Sequence, residues 1–192
     1  MIIYLHGFSS VGWGNKSKYI AQHFKGKVFA PDYAAHDPHN AISFLQHYLE
    51  DLKQQTPTES STLLVGSSMG GFYANWFAQN YGYNCVMINP AITPWLTLTN
   101  YIGENVKYGT NEKFIFSKEM LEASKDYAFD PTNSNEVSRL VLLDKGDELI
   151  DYRKTKTLFK NIAKIITYDD GDHRFSHMKE AFPEILKIAE ES

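Results

Sequence analysis

The sequence predicts an α/β fold in which six short strands form a mostly parallel, doubly wound sheet flanked by helices. Short apolar runs alternate along the chain with longer segments whose apolar residues recur at helical spacing. Such runs are typical of strands buried on both faces of a parallel sheet. The runs occupy residues 2–5, 28–30, 62–65, 86–88, 140–143 and 165–168. Because ligands bind at the carboxyl ends of the strands in such sheets, the residues after each run are the first candidates for a site.

The segments between the runs carry start signals for helices. Asp37 followed by Pro38 predicts a helix start, because Asp37 can accept hydrogen bonds from free amides and Pro38 suits the first helical position. Ser17 is a candidate cap for the helix after the first strand, and Pro183 is predicted to start the last helix.

One long segment, residues 92–137, has no clean periodicity but is rich in aromatic residues. It follows the fourth predicted strand and is too apolar for a simple linker, so we interpret it as a lid or a crossover insertion. As a lid it would pass above the ends of the strands and supply apolar surface to a substrate pocket. The candidate pocket residues are Trp95, Tyr101, Phe114 and Phe116. The alternative is a crossover that only packs against the helices.

Composition limits the class of protein. A chain of 192 residues with 43% hydrophobic content is sufficient for a single domain, residues 1–192, with one large core. The 19 basic and 23 acidic residues give a net charge of -4 without long runs of one sign, which indicates neither a nucleic-acid partner nor an anionic membrane surface. The lone Cys85 excludes an internal disulfide, and no signal peptide or membrane span is predicted, so a cytoplasmic location is expected. The oligomeric state is not indicated.

The third predicted strand leads into Gly66-Ser67-Ser68-Met69-Gly70, which fits the pattern G-x-S-x-G. In this pattern, called a nucleophile elbow, small residues let two backbone segments approach while a sharp turn exposes the central hydroxyl. Ser68 is therefore the candidate nucleophile. A phosphate-binding loop would need a lysine after the last glycine, whereas Phe72 follows Gly71. The remaining alternative is a plain strand-to-helix turn with incidental serines.

A nucleophilic serine needs a histidine as base and an acid that orients the histidine. Asp147 follows the fifth predicted strand and His173 follows the sixth, so both come at strand ends that meet at one edge of the sheet. His177 lies farther from the strand end and is expected at the surface. Glu148 and Asp151 compete with Asp147. We favour Asp147 because it lies in the loop that leaves the strand, whereas Asp151 is expected to cap the next helix.

Several motifs spread over nearly the full chain point to one family. They are Leu5-His6-Gly7-Phe8, residues 66–71, Asn89-Pro90-Ala91, Gly146-Asp147-Glu148 with Asp151-Tyr152-Arg153, and Gly171-Asp172-His173. With these motifs the chain resembles the α/β-hydrolases, and specifically the compact bacterial YqiA-type esterases. The resemblance implies a truncated α/β-hydrolase fold that lacks the two antiparallel strands with which larger members begin. It also implies that Ser68, Asp147 and His173 form a catalytic triad.

In such a triad His173 takes the proton of Ser68, while Asp147 orients the imidazole and stabilises the imidazolium. The amides of Met69 and Phe8 are the candidate donors to the oxyanion. The expected activity is hydrolysis of a small-molecule carboxylic ester or thioester through an acyl-enzyme, without a cofactor. No metal is expected, because the acidic cluster before His173 lacks the paired spacing of a zinc or calcium site. The alternatives are a catalytically silent binding module, or a peptidase, amidase or lactone hydrolase with the same triad.

Overall fold

A six-stranded parallel sheet lies at the centre of the computed structural model, which describes residues 1–57, 61–132 and 136–191. The strands are β1 (Ile2–Leu5), β2 (Val28–Phe29), β3 (Leu63–Ser67), β4 (Asn84–Ile88), β5 (Gly103–Val106), β6 (Lys113–Phe116), β7 (Arg139–Asp144) and β8 (Lys164–Tyr168). The order across the sheet is β2-β1-β3-β4-β7-β8, with every neighbouring pair parallel. The predicted fold class is therefore confirmed. Strands β5 and β6 form a separate antiparallel hairpin.

Helices cover both faces of this sheet. They are α1 (Asn15–His23), α2 (Pro38–Gln55), α3 (Met69–Tyr81), α4 (Pro94–Thr97), α5 (Lys118–Ala123), α6 (Tyr152–Phe159) and α7 (Met178–Glu191). The side chains of β1 alternate between the faces, because Ile3 and Leu5 belong to one buried apolar cluster and Ile2 and Tyr4 to another. The first cluster includes residues of α2 and α3, and the second includes residues of α1 and α7. Within the described ranges, no helix has the length and apolar character that crossing a membrane requires.

Of the helix starts predicted for α1 and α2, the structure confirms only that of α2. Asp37 caps α2 as predicted, because its carboxylate accepts the amide of Asn40 at 3.2 Å. Ser17 does not cap α1, which begins two residues earlier at Asn15. The buried Ser17 hydroxyl instead donates to the carbonyl of Gly12 at 2.6 Å, so it ties the helix to the loop before it.

The sequence predicts that Pro183 starts the last helix. In the structure Pro183 lies inside α7. Helical hydrogen bonding begins before the proline, since the amide of Ala181 donates to the carbonyl of His177 at 2.9 Å. Ala181 and Ile185 are fully buried against the sheet. The packing of this apolar face outweighs the one helical hydrogen bond that a proline cannot donate.

The insertion after β4 contains more regular structure than its sequence indicates. Its described part holds α4, the β5–β6 hairpin and α5, while residues 133–135 of the predicted insertion lie outside the described residues. The amide of Tyr108, in the hairpin turn, donates to the carbonyl of Ser9 at 2.6 Å. The hairpin is thus attached to the loop after β1. Whether the segment moves as a lid stays a prediction.

Two glycines allow β1, β3 and α3 to meet at the carboxyl end of β3. A Cβ atom on Gly70 would collide with the carbonyl oxygen of Leu5, and one on Gly66 would collide with the carbonyl oxygen of Gly70. Both collisions are with backbone atoms, which cannot rotate aside as the end of a side chain can. The two glycines of the G-x-S-x-G pattern are therefore required by the packing of backbone on backbone.

Replacing Gly70 with alanine is expected to destabilise the protein strongly, because the added methyl group would push α3 away from β1. We expect the free energy of unfolding to fall by about 3 kcal/mol or more. The matched control is Gly82→Ala at the other end of α3, where a Cβ atom meets nothing within 4 Å and only the positive φ of 74° is strained. The control should lose about 1 to 2 kcal/mol. Urea denaturation measures both losses, and equal values would contradict the steric argument.

Candidate active site

Ser68 occupies the turn between β3 and α3 in a backbone conformation that non-glycine residues rarely adopt. Its φ is 55° and its ψ is -120°, which costs free energy unless the surroundings fix the backbone. The Ser68 amide donates to the carbonyl of Ile88 at 3.0 Å, and the Ser68 carbonyl accepts the amide of Ala91 at 3.1 Å. These bonds to the end of β4 fix the turn, and Ser68 lines a cavity at the edge of the sheet.

The structure brings Ser68, His173 and Asp147 together in one hydrogen-bonded series. The Nε2 atom of His173 lies 3.0 Å from the Oγ atom of Ser68. Its Nδ1 atom lies 2.9 Å and 3.1 Å from the two carboxylate oxygens of Asp147. Because a carboxylate can only accept, Nδ1 carries a proton and Nε2 is free to accept the serine proton when the imidazole is neutral.

The loop after β7 holds the Asp147 carboxylate toward the histidine. The Oδ1 atom of Asp147 accepts the amides of Leu149 and Ile150, both at 2.9 Å. The side chain of Asp147 is 2% exposed, while that of His173 is 17% exposed. The acid is therefore shielded from water and fixed by its own loop, and only the imidazole edge reaches the cavity.

The competing candidates have other partners in the structure. Glu148 accepts the backbone amide of His173 at 2.9 Å, so it supports the histidine's loop and not its ring. Asp151 caps α6, as predicted. His177 does not approach Ser68, because its Nδ1 atom lies 2.7 Å from a carboxylate oxygen of Asp144.

The predicted oxyanion donors lie on either side of Ser68. The amide of Met69 is the first of α3, and the loop of Phe8 passes so close that a Cβ atom on Gly7 would lie 3.2 Å from the Cβ of Ser68. Among the backbone hydrogen bonds of the described residues, none is donated by the amide of Phe8 or of Met69. Both amides thus lack a backbone acceptor, and their role in stabilising an oxyanion stays a prediction.

His6 supports the loop that carries Phe8. Its ring is 1% exposed, and burial lowers its pKa below the ordinary value, which favours the neutral imidazole. The neutral ring fits its contacts, because Nδ1 lies 2.9 Å from the carbonyl of Gly7 and Nε2 accepts the amide of Tyr33 at 3.3 Å. His6 therefore fixes the backbone beside Ser68.

The cavity beside Ser68 has a volume of about 280 Å³. Besides Ser68 and His173, its lining includes an apolar group and a basic group of side chains. The apolar group is Phe8, Leu98, Tyr101, Leu149 and Ile150, and the basic group is Lys16 and Arg174. Among the described residues, no three His, Cys, Asp or Glu side chains are grouped as metal ligands would be.

Of the four aromatic residues predicted to line the pocket, only Tyr101 does so. As a correction to the sequence prediction, Phe114 and Phe116 lie in a buried apolar cluster, and Trp95 is half-buried against the same cluster. Strand β6 alternates, so that Phe114 and Phe116 are both buried on its inner side. Their rings meet the ring of Phe8 edge-on at 5.4 Å and 4.8 Å between centroids. Phe114 and Phe116 therefore support Phe8, which lines the cavity, and do not line it themselves.

Comparison with known proteins identifies the family. A model of an uncharacterised protein family, UPF0227, matches residues 1–190. The chain belongs to the UPF0227 family. A UPF0227 protein of Shewanella woodyi is 26% identical over 189 residues, which cover 96% of this chain and 97% of that relative. A UPF0227 protein of Yersinia pseudotuberculosis is 25% identical, with 98% of this chain and 96% of the relative covered.

Solved structures show that this UPF0227 chain has the α/β-hydrolase fold. The monoacylglycerol lipase of Paleococcus ferrophilus superposes with a TM-score of 0.75 at 13% identity, covering 100% of this chain and 94% of the lipase. Est1E from Butyrivibrio proteoclasticus gives 0.75 at 14% identity, with 99% and 86% covered. The mouse α/β hydrolase domain-containing protein 10 gives 0.73 at 16% identity, with 99% and 89% covered.

In this UPF0227 chain a second carboxylate, which the sequence analysis did not single out, holds the loop of His173. Asp144 is the last residue of β7 and is completely buried. Its carboxylate accepts the amide of Ser176 at 2.9 Å and that of Asp172 at 3.3 Å, besides contacting His177. The expectation that His177 is a plain surface residue is therefore wrong, since its side chain is 25% exposed and paired with a buried acid.

Asn89 completes this arrangement from the end of β4. Its side-chain oxygen accepts the amide of Asp144 at 2.9 Å, and its side-chain nitrogen donates to the carbonyl of Asp172 at 3.0 Å. Asn89 and Asp144 thus connect two strand ends to the backbone on either side of His173. The sequence carries one signal for each residue, since the charged Asp144 ends a buried strand and the polar Asn89 follows a different strand. Neither signal indicates which groups these side chains contact.

Replacing Asp144 with alanine should destabilise the protein, because it leaves two backbone amides and His177 without their buried acceptor. We expect the free energy of unfolding to fall by about 3 kcal/mol. The control is Asp169→Ala, which removes an 86% exposed carboxylate paired with Lys145 and should change stability little. Urea denaturation compares the two variants, and similar small losses would show that Asp144 does not hold this loop.

Proposed function

We propose that this protein is a serine hydrolase that cleaves carboxylic esters or thioesters through an acyl-enzyme intermediate. The observation that carries the proposal is the series Ser68 Oγ, His173 Nε2, His173 Nδ1 and the Asp147 carboxylate, with separations of 3.0 Å and 2.9 Å. A serine hydroxyl is a weak nucleophile at neutral pH, and this arrangement provides the base and the orienting acid that activate it.

In the first half of the reaction the Ser68 oxygen attacks the carbonyl carbon while its proton moves to His173 Nε2. Asp147 stabilises the imidazolium through Nδ1. The negative charge on the former carbonyl oxygen is met by the amides of Phe8 and Met69. When the tetrahedral intermediate collapses, His173 returns the proton to the departing alcohol oxygen or thiol sulfur, and the acyl group remains on Ser68.

In the second half a water molecule attacks the acyl-enzyme. His173 accepts one proton from this water, a second tetrahedral intermediate forms, and the proton is passed to the Ser68 oxygen as the acid product leaves. The cycle needs no group beyond these side chains, two amides and water. The monoacylglycerol lipase is named for activity on an ester, and its similar fold supports the same class of reaction here.

The apolar side chains that line the cavity favour a substrate with an apolar substituent. Leu98 and Tyr101 come from the insertion, and Leu149 and Ile150 from the loop after β7. Each methylene group that a substrate buries there contributes about 0.8 kcal/mol. A cavity of about 280 Å³ limits the chain that fits, so an apolar substituent of modest length is the favoured occupant.

Ser68→Ala should abolish both labelling by a fluorophosphonate probe and hydrolysis of any ester that the protein turns over, because the variant lacks the attacking oxygen. The matched control is the neighbouring Ser67→Ala, which should still be labelled. Mass spectrometry of the labelled peptide identifies the modified serine, and circular dichroism checks that both variants fold.

Labelling at Ser67, or turnover that survives in Ser68→Ala, would refute the proposal. A protein that is neither labelled nor active on esters would favour the silent binding module. A panel of matched esters, thioesters, amides and lactones then distinguishes the proposed activity from that of an amidase, peptidase or lactone hydrolase.

The losses of kcat from Ser68→Ala and His173→Ala should not be additive, because the two residues act as one unit. Each single variant should lose about a thousandfold or more in kcat, and the double variant should be little worse than either. Steady-state kinetics on one ester measures all three. A double variant whose loss equals the product of the single losses would contradict the assigned pairing.

A further inference from the structure

A second cavity adjoins the one that contains Ser68. It has a volume of about 630 Å³ and lies between α1, the hairpin turn and the loop after β8. The two cavities share four lining residues, namely Tyr4, Ser10, Lys16 and Arg174. The two cavities therefore lie side by side, and Lys16 and Arg174 border both.

The charges along both cavities have one sign. Lys16 and Arg174 line both, Lys18 lines the second, and no Asp or Glu among the described residues lines either. The chain as a whole carries a net charge of -4, so this cluster is not a reflection of a generally basic surface. A cavity lined by charges of one sign attracts ligands of the other sign.

Among the described residues, the two shared cations are not held in close ion pairs. In the described part of the chain, neither Lys16 nor Arg174 forms an ion pair, and the guanidinium of Arg174 lies over the ring of Tyr108 at 5.0 Å. The acids whose charges act on Lys16 are Asp172 and Asp144, and Asp144 is already paired with His177. Unpartnered cations beside a candidate nucleophile can bind an anion without first breaking an internal ion pair.

The amino end of α1 adds to the positive potential. Gly14, Asn15 and Lys16 line the second cavity, and no side chain caps this helix. The free amides and the positive end of the helix dipole favour an anion there. This contribution adds to the positive potential of the two cations.

We propose that Lys16 and Arg174 bind an anionic substituent, a phosphate or a carboxylate, on the ester that Ser68 cleaves. The proposal rests on the proposed function and deepens it, because it names the chemical class of the substrate. The apolar side of the first cavity takes one substituent of the ester, and the cationic side takes the other.

The protonation of Lys16 gives the anion site a pH dependence. Burial is the largest cause that lowers the pKa of Lys16, to about 8, and Arg174 acts in the same direction while Asp172 and Asp144 oppose it. Tyr4, on the sheet side, stays neutral because burial raises its pKa. The lysine loses its charge as the pH rises through about 8, so the preference for an anionic ester should fall there.

The test compares two matched pairs of esters by kcat/KM at low salt. In the first pair the charge is on the alcohol. The butyrate ester of hydroxypropyl phosphate is compared with the same ester in its neutral dimethyl phosphate form. In the second pair the charge is on the acyl group. The nitrophenyl ester of adipate, with its free carboxylate, is compared with the form in which a methyl group caps that carboxylate. We expect at least one anionic ester to be preferred about tenfold over its neutral partner, and the pair that shows this identifies the charged half.

Variants assign the preference to the two cations. Lys16→Met and Arg174→Met should each lower the ratio of kcat/KM between anionic and neutral ester by about tenfold, whereas Lys16→Arg should retain it. The control Lys53→Met removes one charge from the exposed face of α2, at the opposite edge of the sheet, and should leave the ratio unchanged. Thermal unfolding followed by circular dichroism verifies that each variant folds.

A binding measurement separates this proposal from the proposed function. An ether analogue of the phosphate ester, which cannot be hydrolysed, is titrated calorimetrically into Ser68→Ala protein with and without Lys16→Met. Lys16-dependent binding to Ser68→Ala protein, together with a wild-type protein that hydrolyses no ester, would retain the anion site and refute the hydrolase. Ester hydrolysis with no anionic preference, or with a preference that survives both Met variants, would refute the anion site and retain the hydrolase.

Discussion

The contact of backbone against backbone at the end of β3 is the constraint on which the site depends. Because Gly66 and Gly70 have no Cβ atoms, α3 can start directly against β1, and the chain has to turn within one residue. That residue is Ser68, which is held at a φ of 55° by hydrogen bonds to the end of β4. The surrounding sheet stabilises this strained conformation, which keeps the Ser68 hydroxyl out of the core.

The other parts of the site are fixed from the neighbouring strands in the same way. Asp147 is held by the amides of its own loop after β7, and the loop of His173 is held by Asp144 and Asn89. The separations in the hydrogen-bonded series are therefore set by strand ends and not by flexible side chains. Such preorganisation lets a group act without a costly rearrangement during the reaction.

The features that the sequence predicted well are those with a local cause. The glycine pattern, the Asp37-Pro38 helix start and the buried strands each follow from the chemistry of a few adjacent residues. The pairing of Asp144 with His177 spans 33 residues and has no local signal. Strand β6 is four residues long, too short for its alternation to be recognised, so Phe114 and Phe116 were assigned to a pocket that they support only from behind.

The cationic side of the site is better explained by the binding of an anionic substrate group than by a contribution to stability. Lys16 is partly buried, and its lowered pKa means that the folded protein disfavours its charge. A methionine would fill similar volume without that cost, and the charges of Asp172 and Asp144 offset the cost only in part. An anionic substrate group would supply the missing partner only when it is bound. The interaction of this group with the two cations would then contribute to binding, in proportion to how well the ester places its charge between Lys16 and Arg174.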